Sequence, residues 1–150
     1  AKRCPDKQFV GVAVRSDWEE ALVIPHNVKM YFDLPPEEYY RFMEQSFVTL
    51  FPLKEQKVSG LINIVRSVQF GKMVLTTALP ATAMYYPEEL KEKLPRAGAV
   101  EDWIRELQHI YGEPETEYVK QVESMQEHIK REFSPQMAGE RLARVIREPV

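Results

Sequence analysis

The chain has 150 residues, 44% hydrophobic and 29% charged, which suits one domain with a real core and is short for two. A formal net charge of −3 argues against a strongly basic nucleic-acid binder. The single cysteine, Cys4, excludes an intramolecular disulfide and a cysteine-based zinc cluster. Apolar stretches fall well below the ~20 residues of a membrane span, and the opening Ala1-Lys2-Arg3-Cys4-Pro5-Asp6 has no signal-peptide core. The expectation is a soluble, cytoplasmic chain, and the missing initiator methionine suggests a piece of something longer.

In chain order, Phe9-Val10-Gly11-Val12-Ala13-Val14 is an apolar run of strand length, and Val28-Lys29-Met30-Tyr31-Phe32 is rich in strand formers. The stretch from Trp18 to Pro25 accommodates either a short helix or a loop. Pro35-Pro36-Glu37-Glu38 opens a helix, because proline suits the first turn and acids suit its positive end. Tyr39, Tyr40, Phe42 and Met43 supply its apolar face. Phe47-Val48-Thr49-Leu50-Phe51, stopped by Pro52, is a third strand, and Met73-Val74-Leu75-Thr76-Thr77 a fourth. Between them Leu61, Ile62, Ile64, Val65 and Val68 fall on one helical face that ends at Gly71, although their β-branching also suits a strand. Alternating strands and helices predict crossovers and a mostly parallel sheet.

From Ala99 onward the pattern is helical. Val100, Trp103, Ile104, Leu107 and Ile110 form one stripe, and Tyr118, Val122, Met125, Ile129 and Phe133 a second. Ser134-Pro135 opens the last helix, with Ala138, Leu142, Val145 and Ile146 predicted to face inward. Core packing accounts for these stripes.

Ligands of open parallel sheets bind beyond the carboxyl ends of the strands. Three such ends are Asp33-Leu34, the stretch from Pro52 to Ser59, and that from Thr76 to Thr82. The middle one leads through Lys54 and Lys57 to Ser59-Gly60, which opens a helix. A helix N-terminus, a hydroxyl, a glycine and two lysines suit a phosphate or diphosphate. The bland reading of the same residues is an N-cap serine, a packing glycine and solvated lysines.

The stretch Asn27-Val28-Lys29-Met30-Tyr31-Phe32-Asp33-Leu34-Pro35-Pro36-Glu37-Glu38-Tyr39-Tyr40 resembles a segment of the carboxy-terminal domain of GT-B-fold glycosyltransferases. Glu44-Gln45-Ser46 through Leu53 resembles that domain's next strand, with its closing proline. Ser59-Gly60-Leu61 through Thr77, with Gly71-Lys72, resembles the following helix and strand, and Phe133-Ser134 the opening of its last helix. The resemblance covers about residues 5–147. It implies a Rossmann-like three-layer α/β/α sandwich with a mostly parallel sheet and carboxy-terminal helices. It also implies a single domain over 1–150, the donor-binding half of a two-domain enzyme that moves a sugar from a nucleotide diphosphate sugar to an acceptor.

By that resemblance Ser59, Gly60 and Leu61 meet the diphosphate or sugar, with Lys54 beside them. Asp33 and Leu34 lie near the nucleobase, and Arg66 stands where many members hold ribose with a glutamate. An earlier family glutamate corresponds to Val58, so both glutamates are absent; Glu55 is a nearby substitute, and Arg66 could instead pair with a phosphate. Met73 replaces the family's proline. The domain's first strand and helix and the acceptor-binding amino-terminal domain are missing, so the piece alone is expected to be inactive. No metal or cofactor is required by that arrangement; the donor is the substrate, nucleic acid is not a partner, and the parent could sit peripherally on a membrane.

His26, His109 and His128 lack metal-ligand spacing, and no Gly-x-Gly-x-x-Gly, Walker or Gly-x-Ser-x-Gly motif occurs. Glu37-Glu38 and Glu88-Glu89 read as helix starts. Tyr85-Tyr86-Pro87 suits either a cleft wall or packing beneath a helix. Two rival readings are a receiver-like regulatory module phosphorylated on Asp33, which would need an acid pair where the chain has Val14-Arg15-Ser16, and a non-catalytic interaction domain.

Overall fold

The computed structural model describes residues 1–18, 22–54 and 60–147, the side chains of residues 142 and 144–147 excepted. The fold is mixed α/β, and all described strand pairing is parallel, in two two-stranded sheets. The chain forms two compact units, Ala1–Ser46 and Phe47–Val150.

In the first unit β1 (Phe9–Ala13) pairs with β2 (Val28–Phe32) over their full lengths, and α1 (Pro36–Gln45) follows. The register sets Gly11 against Met30, and the Met30 thioether occupies the space a Cβ at position 11 would need. A larger residue there would need the Met30 side chain to move aside. Arg15–Asp17 form a 3-10 turn just past β1, and Leu22 to Pro25 is irregular. The fully buried Asn27 gathers the first residues: its Nδ2 bonds the carbonyls of Cys4 and Lys7 at 2.9 Å and of Ala1 at 3.1 Å. Helix α1 starts at the proline, with Glu37 and Glu38 in its first turn, as expected for a positive helix end. Its buried residue is Met43, and Phe42 packs on Tyr31 at 4.7 Å between ring centres.

In the second unit β3 (Val48–Phe51) and β4 (Met73–Thr76) flank α2 (Leu61–Gln69), in the predicted strand–helix–strand order. All four residues of β4 are buried, which explains why its sequence does not alternate. The spacing of α2 overrode its β-branching because Ile64 and Val68 reach the core while the intervening Arg66 stays exposed. Gly71, at φ +70°, closes α2: its N–H bonds the carbonyl of Val68, and that of Lys72 bonds the carbonyl of Ser67. This paired closure needs a left-handed residue, and it turns the chain straight into β4.

Short helices α3 (Pro80–Ala83) and α4 (Glu88–Lys91) lead to α5 (Val100–Gly112), α6 (Glu115–Glu132) and α7 (Pro135–Arg147). Ile64, Val68, Val74, Val122, Met125 and Ile129 join α2, β4 and α6 in one core. Burying a side chain such as Ile64 or Met125 contributes roughly 1.5–3 kcal/mol. The α6 stripe is the one anticipated. Three residues expected on apolar faces are corrected: Ile62 is 59% exposed on α2, Val100 is 66% exposed because it is the first residue of α5 and precedes its contacts, and Ala138 is exposed on α7. The Ser134 hydroxyl does cap α7, accepting the Met137 N–H at 3.2 Å. No helix among the described residues is long and apolar enough to cross a membrane.

Candidate functional site

The carboxyl ends of β3 and β4 form a mouth built by threonines. Thr76 donates its hydroxyl to the Phe51 carbonyl at 2.9 Å, and the Thr77 hydroxyl accepts the Leu53 N–H at 2.9 Å. Thr82 donates to the Thr77 carbonyl at 2.6 Å and accepts the Leu79 N–H at 3.1 Å. All three side chains are buried, so they shape the mouth by holding backbone.

Lys54 lies on the exposed exit of β3. Gly60, at φ +92°, is the N-cap of α2, and no described atom lies within 4 Å of where a Cβ would stand. The capping residue is thus the glycine rather than the serine before it, and no described side chain caps the first turn. Leu61 is the first helical residue and is packed against the core. Arg66 is exposed in the last turn, six residues on and so about 9 Å along the axis from Gly60. Its charge suits the negative end of α2. Ser59, Glu55, Lys57 and Val58 lie outside the described residues.

Asp33 and Leu34 belong to the first unit. Asp33 takes a left-handed backbone, φ +52°, which aspartate tolerates better than most residues. Its Oδ1 accepts the Arg15 N–H at 3.1 Å, tying the exits of β1 and β2 together. Beside it the Arg15 guanidinium lies 4.4 Å from the centre of the Phe32 ring, and Trp18 meets the same ring edge-on. Leu34 is half-buried. The residues singled out from sequence are therefore divided between Asp33 and Leu34 in one unit and Lys54, Gly60, Leu61 and Arg66 in the other.

Two polar clusters were not anticipated. Asp102, 4% exposed, accepts Arg96 through Nε at 2.7 Å, Nη2 at 3.1 Å and the backbone N–H at 3.2 Å, and Arg105 Nη1 at 3.2 Å. The hydrogen bonds from Arg96 hold its carboxyl well below the usual carboxylate range. The cluster clamps the loop through Gly98 onto the start of α5. A second cluster centres on Glu113, which accepts Gln121 Nε2 at 2.7 Å and Lys93 Nζ at 3.3 Å. His109 Nε2 stands 2.8 Å from the same carboxylate, a contact that requires the proton on that nitrogen. Lys93 also donates to Gln121 Oε1 at 3.1 Å. These groups are spent on one another, which makes the cluster a brace between α5 and α6.

Tyr86 and Tyr85 pack rather than line a cleft. The Tyr86 hydroxyl donates to the Val74 carbonyl at 2.9 Å, and burial pushes its phenol up; Tyr85 stacks on Phe133 at 4.5 Å. An open groove of about 410 Å³ runs past the last turn of α2, between Val65 and Gln69 on one side and Ile129, Phe133 and Pro135 on the other. Among the described residues no three His, Cys, Asp or Glu side chains converge as metal ligands would.

No protein-family model, no curated protein and no solved structure matches this chain.

Proposed function

We propose that the chain is the nucleotide-sugar-binding part, of Rossmann-like α/β/α type, of a GT-B-fold glycosyltransferase. The observation that carries this reading is the β3–α2–β4 crossover, whose helix opens on a left-handed glycine with no described atom within 4 Å of its Cβ position. Helix N–H groups that no described side chain caps, together with the partial positive charge of the helix end, suit a diphosphate, and Lys54 adds a full charge at the β3 exit. In the reaction these groups would stabilise the negative charge that develops on the departing nucleotide diphosphate. The donor is held without a metal in this reading. An amino-terminal domain supplies the acceptor and closes the cleft, so the chain alone binds donor without turning it over.

The test is thermal unfolding of the chain with UDP, GDP and their sugars. A nucleotide at a hundred times its Kd stabilises the fold by about 2.7 kcal/mol. For a chain of this size that raises Tm by about 5–10 °C. Lys54→Ala and Arg66→Ala each reduce the shift. Absence of any shift with every nucleotide at millimolar concentration refutes the donor reading.

A further inference from the structure

The groove beside the last turn of α2 has a volume of about 410 Å³, within the range of small-molecule sites. Its floor is apolar: Val68 and Ile129 are buried, and the half-buried Val65 and Phe133 flank them. Gln126 Nε2 donates to the Val68 carbonyl at 2.9 Å, which fixes the separation of α6 from α2 at one end. From there the α6 wall runs to Phe133, about 10 Å along the helix axis. No Asp or Glu lines the groove, although the chain carries 23 of them. The one charged side chain that lines it is Lys130, which is exposed and makes no ion pair among the described residues. One turn further on, the Ser134 oxygen accepts the Met137 N–H at 3.2 Å, which leaves its O–H to donate. Glu132, the acid nearest to Ser134 in sequence, is already paired with Arg131 at 3.0 Å and Arg141 at 2.9 Å. The groove therefore combines an apolar floor with a rim that lacks only a negative charge.

We propose that this groove binds a small amphiphile with a carboxylate head, a medium-chain fatty acid in class. Its chain lies over Val65, Val68 and Ile129, and its carboxylate meets Lys130 and the Ser134 hydroxyl. Space decides against a peptide helix as the occupant. A helix with its side chains is about 10 Å across, so over the same length it fills on the order of 800 Å³, twice what the groove offers. Burial of the alkyl chain supplies the affinity. The exposed lysine supplies the choice of head group, an effect of a few-fold because water screens it. The site is independent of the donor reading.

The experiment is methyl NMR of the whole chain, titrated with decanoate, decanol and decyltrimethylammonium below their micelle concentrations. Decanoate shifts the Val65 and Ile129 signals saturably and leaves that of Ile110, buried on α5, unmoved. It binds about fivefold more tightly than decyltrimethylammonium, and added salt narrows the gap. Lys130→Glu, a change at an exposed position, reverses that order and leaves decanol affinity within about twofold of the natural protein. No saturable shift at Val65 and Ile129 with millimolar decanoate overturns the site. Equal affinity for the two head groups, or a Lys130→Glu variant that still prefers decanoate, overturns the carboxylate assignment. Movement of the same signals with protein concentration alone means that a second copy covers the groove, and the amphiphile proposal falls. It falls equally if an acidic, leucine-rich peptide shifts those signals and decanoate does not.

Discussion

Removing the hydroxyl of Tyr118 tests how the second unit is held at the end of the sheet opposite the proposed site. The Tyr118 oxygen accepts the Met73 N–H at 3.1 Å and donates its proton to the Phe47 carbonyl. It therefore joins the residue before β3 to the first residue of β4, across sequence separations of 71 and 45. Tyr118→Phe keeps the ring, which stacks on Phe47 at 4.7 Å, and deletes both bonds. The two lost partners differ. Phe47 is 46% exposed, so water can replace the proton its carbonyl loses; Met73 is 3% exposed, so its N–H is left unsatisfied. Loss of the Met73 bond dominates, and the combined cost is about 2 kcal/mol. That corresponds to a fall in Tm of about 4–8 °C for a chain of this length. Urea titration should move the midpoint with an unchanged slope, and the Met73 amide should exchange faster than in the natural protein. A variant within about 0.5 kcal/mol of the natural protein, with Met73 exchange unaltered, would contradict the assignment of a structural role to this hydroxyl.

Two further expectations concern charge and backbone. Hydrogen bonds from Arg96 depress the folded-state pKa of Asp102, so the carboxylate's stabilisation is complete above its unfolded value of about 3.9 and is lost as pH falls through the lower folded value. The Tm gap between the natural protein and Asp102→Asn should thus be widest near neutral pH and narrow in acid; a gap independent of pH counts against the clamp. Gly60→Ala forces an alanine into φ +92° with no described neighbour to clash with, so the expected cost is backbone strain, about 1–2 kcal/mol. Gly60→Asn should cost less because asparagine tolerates that region, and equal stability of the alanine variant would show that α2 does not begin in a left-handed conformation.

Much of the framework was legible because its signals are local. A proline and two glutamates open α1, and the Gly71-Lys72 turn closes α2. The apolar stripe of α6 follows helical spacing, with Val122, Met125 and Ile129 buried. Elsewhere a local cue pointed two ways. Ser-Gly offers two helix starts, and the backbone twist selects the glycine at position 60. Val100 lies on the apolar stripe of α5, but at its first position it projects beyond the core. The polar clamps left no local trace. Arg96 and Asp102 are separated by a loop, Lys93 meets Gln121 from 28 residues away, and Thr77 meets Leu53 from 24. A threonine at the end of a strand reads as a β-former, and nothing nearby says that its oxygen will catch an N–H on the neighbouring strand. Of the candidate site, the glycine and the strand exits were foreseeable; the side chains that hold those exits in place were not.

The two sets of side-chain bonds at the ends of the β3–β4 pair carry different consequences. Each strand has only four residues, and an isolated pair of that size has little stability of its own. Its geometry depends on the cover of α2 and α6 and on hydroxyls that bond backbone at both ends. Tyr118 acts at the amino-terminal end, where no candidate ligand group lies; Thr76, Thr77 and Thr82 act at the carboxyl end, where Lys54 emerges. Substitution at Tyr118 should therefore lower stability and leave nucleotide affinity intact. If the Tyr118 variant instead loses nucleotide affinity in proportion to its loss of stability, the two ends of the strand pair are not independent of each other.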